Sequence, residues 1–233
     1  MLNRFLIPIV ACIVVTMTMW IVIEKTRPVF RTTAIETEGK SKGGMSREMM
    51  QEYRFEVLKC DMVSFGIWGA LMAGFTGLAG NPAANSRWRG LAAGLLLGAG
   101  AGALGAYLGQ IQEAMIEYEG ASSTYWIMRW AAIMLPIAVA ASIACAISGS
   151  VTRQLLECLA GGLLGLVIGV TVFSLLHGQA TPLEKPSNVY PGWAANRILA
   201  MLALNLSVFT LILVQAGRSH SKQIPNPALE TTI

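Results

Sequence analysis

Charge is what this chain has least of. Asp, Glu, Lys and Arg make up 13% of its 233 residues, about half the share usual in soluble domains. The deficit is concentrated in windows of about 20 residues, the length that crosses roughly 30 Å of hydrocarbon. Histidine is scarcer still, with only His177 and His220, and neither stands near a cysteine at metal-ligand spacing. The four cysteines, Cys12, Cys60, Cys145 and Cys158, form no CxxC pair. Most sit in or beside apolar runs, where a thiol behaves as a small apolar group; Cys145 and Cys158 flank one short loop and are free to approach each other. No HExxH, no GxSxG elbow and no aspartate pair at membrane depth is present. Catalytic, cofactor and metal sites are therefore all expected to be absent. A basic patch with interleaved aromatics is missing too, so the net charge of +4 does not argue for nucleic acid.

What fills the chain instead is apolar sequence, 54% of all residues. The pattern predicts an all-α fold, a polytopic integral membrane helical bundle of about six transmembrane helices with glycine-ridged packing. Residues 1–24 form the first transmembrane helix. It reads as a signal anchor, because its apolar run outlasts the 7–15 residues or so of a cleaved signal peptide and no small-x-small site follows. Residues 25–59 are an extracytoplasmic polar segment. Within it Gly43 and Gly44 mark a break, and Ser46 caps an amphipathic helix at 46–59 with Met49, Tyr53 and Val57 on one face. A transmembrane hairpin at 60–109 (helices 2 and 3) leads to an acidic outer loop at 110–125 carrying Glu113, Glu117 and Glu119. A second hairpin at 126–177 (helices 4 and 5), an outer loop at 178–192, helix 6 at 193–216 and a disordered cytoplasmic tail at 217–233 complete the order.

Within helix 3, Gly90, Gly94, Gly98 and Gly102 step by four, and Gly105 and Gly109 continue the line. At 100° per residue they share an arc of roughly 120°, a groove into which another helix can settle closely. Gly161, Gly165 and Gly169 repeat the step in helix 5. A GxGxG at Gly98, Gly100 and Gly102 has no strand before it and no acid after it, so it does not read as a dinucleotide loop. Trp68, Trp130 and Trp193, each followed by small residues, recur at spacings of 62 and 63 and suggest a two-span unit used more than once.

Basic residues set the orientation. Arg4, Arg87, Arg89, Arg153, Arg218 and Lys222 fall on one side of a six-span chain and the acidic loop on the other, which predicts a multi-pass protein of the cytoplasmic (cell) membrane with both termini inside. The segment 24–59 carries bases on the outer side, eight of them against six acids. Trp20, Trp68, Tyr107, Trp126, Trp130 and Trp193 are then expected in an outer aromatic belt.

Polar groups at depth are few. Asp61, Arg129, Glu157, His177 and Arg197 stand near predicted span ends, where they read as headgroup anchors. Asn205 falls in the middle of helix 6, and its amide needs a partner on another helix. Pro136 frees a carbonyl at similar depth in helix 4, and the two together mark an intramembrane polar site. The expected function is a structural, scaffold or interaction role, with the lipid bilayer as surroundings and a second copy or another membrane protein bound through the glycine grooves. The alternative is a small-solute channel or transporter with a midplane site near Asn205 and Pro136.

Overall fold

The computed structural model describes residues 9–19, 21–22, 47–81, 84–119, 123–147, 151–180 and 194–223. Every regular element among them is a helix: α1 (Ile9–Met19), α2 (Arg47–Gly80), α3 (Ala84–Glu119), α4 (Ser123–Ala146), α5 (Val151–Ala180) and α6 (Ala194–Gln223). Four contain stretches long and apolar enough to cross a membrane, Arg54–Gly80, Asn85–Ile111, Met128–Ala146 and Arg153–Val172, while α1 and Met201–Gln215 of α6 are apolar over shorter lengths. Helices are the expected solution, because hydrocarbon offers no partner for a backbone N–H or C=O and each must be satisfied within its own segment.

Several helices run past the limits expected of them. At 34 and 36 residues, α2 and α3 are each about 50 Å long at 1.5 Å per residue, well over the roughly 30 Å of hydrocarbon. The excess of both lies at one end, where α2 enters and α3 leaves. Most of the acidic stretch expected as a loop at 110–125 is therefore helix, to Glu119 and again from Ser123. Its sequence, QIQEAMIEYE, holds good helix formers with no Gly or Pro to stop it. Arg87 and Arg89 also belong to α3 rather than to the turn before it, α5 continues through Gly178 to Ala180, and α6 runs through Gly217 into the first residues of the tail as far as Gln223. The segment 23–46, the remainder of the loop at 181–193 with Trp193, and the tail beyond 223 lie outside the described residues, as do the side chains of Met49, Tyr53, Trp126, Arg197 and both histidines.

Among α2 to α6, α4 alone touches the other four, so it takes the central place. The most extensive pairings are α2 with α3 and α5 with α6. Trp68, Trp130, Phe65, Met134, Ile137, Val208 and Phe209 fill the middle, joined by Cys12, Val15 and Met19 from one face of α1. The Phe65 and Trp68 rings stack at 5.7 Å, and Trp130 meets Trp68 edge-on at 6.3 Å. Trp68 and Trp130 are thus core residues and not members of an outer belt. Among the described residues the exposed aromatics are Phe55, Trp88 and Tyr107, and of these Tyr107 alone is among those expected in that belt. Helix α3 shows Leu96, Leu97 and Leu104 on its outer face, and α5 shows Leu156, Leu164 and Val167, apolar surfaces suited to lipid.

The inward faces of α3 and α5 carry the glycines. A methyl group added at Gly90, Gly94, Gly98 or Gly102 would strike backbone of α2, at Gly77, Ala73, Gly69 and Phe65 in turn, and the Gly69–Gly98 and Gly77–Gly90 contacts are mutual. Gly105 and Gly109 turn to Ile133 of α4, and Gly100 faces open space. On α5, Gly161 and Gly165 lie against Leu211 and Ser207 of α6, Gly169 against Leu204, and Gly162 against Ser142 of α4. The two ridged helices therefore use different neighbours: α3 packs back on the helix before it, α5 forward on the helix after it. A simple repeated two-span unit would pair them alike.

Candidate polar sites inside the bundle

Asn205 is fully buried, and both ends of its amide are engaged. Trp68 Nε1 donates to Asn205 Oδ1 at 2.8 Å, and Asn205 Nδ2 donates to Thr16 Oγ1 at 2.9 Å. An indole N–H can only donate, so the amide oxygen must face Trp68 and the NH2 group must face Thr16. The result ties α1, α2 and α6 together at mid-depth. Trp68 stands eight residues, about 12 Å, inside Cys60. Pro136 takes no part: it sits partly exposed on α4, off the buried face formed by Trp130, Ile133, Ile137 and Ala141. The two residues read as one intramembrane site are not brought into one network.

Asp61 and Arg129 differ more sharply from their reading as headgroup anchors. Each is only 1% exposed and held by interactions within the protein. Arg129 borders the α3–α4 contact, its Cγ 4.0 Å from the place a Gly109 Cβ would occupy. Asp61 lies one turn before Phe65, whose ring is 6.1 Å from that of Trp130. Both charges belong to the end of the bundle where α2 enters. Glu157, by contrast, pairs at the surface with Arg153 one turn away at 3.2 Å, an exposed pair of the kind contributing about 0.3–0.5 kcal/mol.

A second buried polar group occupies the opposite end. Asn81 Nδ2 donates to Gly77 O at 2.5 Å and to Ala144 O at 3.2 Å, while Asn81 O accepts from Arg87 Nε at 2.9 Å. Ser142 Oγ shares its proton between Ala138 O and Cys158 O at 2.8 and 3.1 Å. Gln154 Nε2 reaches Cys145 O at 3.5 Å. Cys145 and Cys158 are both buried and free at this end. The sequence shows that these cysteines flank a loop but does not single out Asn81, Ser142 or Gln154, each of which reads as an ordinary helix-end residue until its partner on another helix is known. Among the described residues no group of three or more His, Cys, Asp or Glu gathers where it would hold a metal ion.

These sites join helices; none presents an aligned nucleophile and base. Set against protein-family models, curated proteins and solved structures, the chain matches none of them.

Proposed function

We propose that this chain is a multi-pass protein of the cytoplasmic membrane with a structural, scaffold or interaction role and no catalysis. Six spans carry both termini inside, and the helices pack through their GxxxG grooves. The observation that carries the reading is the state of Asn205. A midplane amide is the group a transported solute would use, and here it is spent on Trp68 and Thr16, which leaves the channel alternative without its best residue. Thr16 also supports retention of the first helix, since cleavage would remove one of the two partners.

The grooves on α3 and α5 are filled from within the chain, so an outside partner meets other surfaces. The best placed is the end where α2 and α3 run beyond the length of a span, with Phe55 exposed beneath Lys59 at 4.3 Å. Co-purification from the membrane in mild detergent tests the proposal. A stoichiometric partner that is lost when Phe55 and Lys59 are replaced by Ser is the expected result. Solute flux in proteoliposomes that disappears with Asn205→Leu would overturn it in favour of transport.

A further inference from the structure

Two exposed arginines at the start of α3 stand apart from the other base at their end of the bundle. Arg153 is paired with Glu157 at 3.2 Å, whereas among the described residues no carboxylate pairs with Arg87 or Arg89. Arg87 is nevertheless fixed in place. Its Nε donates to Asn81 O at 2.9 Å, and Asn81 is itself buried and bonded to Gly77 O and to Ala144 O of α4. With Nε engaged on the protein, the two outer amino groups of the guanidinium face solvent, and their planar fork suits the oxygens of a phosphate. Arg87 and Arg89 flank Trp88, about 100° to either side of it around the helix.

The surface below these arginines is apolar. Trp88, Ala92, Leu96 and Gly100 follow at steps of four and so lie along one stripe of α3; all four are exposed, Leu96 at 78% and Trp88 at 68%. Ala92 and the open space at Gly100 leave shallow dents on either side of Leu96. From Trp88 to Gly100 the stripe is about 18 Å long at 1.5 Å per residue, close to one leaflet's share of a roughly 30 Å hydrocarbon core. An indole at its charged end belongs at headgroup depth. Two unneutralised guanidinium groups over an apolar stripe one leaflet deep match a single molecule, a phospholipid of net negative charge. Free phosphate would leave the stripe unused.

We propose that the N-terminal end of α3 binds an anionic phospholipid, its phosphate held between Arg87 and Arg89 over Trp88 and one acyl chain laid along Ala92, Leu96 and Gly100. A zwitterionic lipid fits the stripe but brings its own cation, which competes with the arginines for the phosphate. The site rests on membrane residence alone, not on a scaffold role or on which side the arginines face, so its failure leaves the proposed function standing.

The test uses the full chain purified in mild detergent, with native mass spectrometry counting the lipid retained after addition of phosphatidylglycerol or phosphatidylcholine. One phosphatidylglycerol per chain should be retained in preference to phosphatidylcholine, and inorganic phosphate should not displace it. Replacing both residues, Arg87→Lys with Arg89→Lys, keeps the charge that guides insertion but removes the fork, and affinity should fall roughly tenfold, the scale of a lost charge-assisted hydrogen bond. Arg153→Lys makes the same exchange at the same end and should change nothing. Gly100→Leu leaves both arginines, fills a dent on the lipid-facing side and should also weaken retention. Equal retention of the two lipids, displacement by inorganic phosphate, an equal loss from Arg153→Lys, or unchanged retention in the double lysine variant would each overturn the site. Unchanged retention in Gly100→Leu would remove the acyl-chain stripe and with it the case for a lipid.

Discussion

Asn205 shows how a single residue can be read for depth but not for partners. Its surroundings in sequence, LALNLSVF, place an amide in the apolar middle of a helix, and that alone demands a hydrogen bond. The partners lie 189 and 137 positions away, beyond anything local pattern can reach. Trp68 was also disguised, because a tryptophan beside small residues near a span end has the look of a belt residue; its burial comes from the Phe65 and Trp130 rings packed on it. The network makes a prediction. Asn205→Leu keeps the volume but strands the indole N–H, at a cost of about 1–2 kcal/mol, or roughly 2–4 °C of thermal midpoint for each kcal/mol in a chain of this size. Trp68→Phe should also destabilise, and the double variant should lose less than the sum of the two, since removing both partners leaves neither the indole N–H nor the amide oxygen unpaired. Thermal unfolding in detergent reads all three, and strictly additive losses would mean that the two residues act apart.

At the scale of the element, a step of four put Gly90, Gly94, Gly98 and Gly102 on one face of α3, and α2 lies on that face. On its side α2 answers with Gly69 and Gly77, whose carbonyl oxygens stand where side chains on Gly98 and Gly90 would have to go. Those glycines are spaced by eight, with Ala73 between them, so they form no run that attracts notice. Helix ends were less legible than helix faces, because a strong helix former does not stop where the hydrocarbon stops. The two kinds of glycine on α3 give a matched pair of tests. Gly98→Ala drives a methyl into backbone that cannot move aside and should sharply reduce the yield of monodisperse protein on size exclusion. Gly100→Ala meets open space and should be neutral or stabilising by up to about 1 kcal/mol, the difference in helix propensity. Equal behaviour of the two variants would show that α3 is rotated from the position described.

For the whole molecule, the decisive question is which way it faces, and the packing gathers the relevant charges. The α2–α3 and α4–α5 turns come together through Gly80 on Cys145 and Asn81 on Ala144, so Arg87, Arg89 and Arg153 share one end of the bundle. Gly161 packs beside Leu211 and Gln215, which brings the C-terminal part of α6, approaching Arg218, to that same end. Asp61 and the acidic C-terminal turns of α3 belong to the other. Sequence alone had to assume six crossings before it could sort these bases; the contacts between turns gather them without counting spans. An excess of Lys and Arg near span ends marks the cytoplasmic side; the cluster of Arg87, Arg89 and Arg153 with the tail bases votes for one end, and the eight bases at 25–59, against five acids, vote for the other, so the fusion experiment decides between them. On the first vote, a reporter active only outside the cytoplasm should work when fused after Gly44 and fail when fused after Ile233. Substituting Glu for Arg87, Arg89 and Arg153 together should produce a mixed or inverted population. Activity of the Gly44 fusion confined to the cytoplasm would reverse the assignment and place the long ends of α2 and α3, with exposed Phe55 and Lys59, on the inner side.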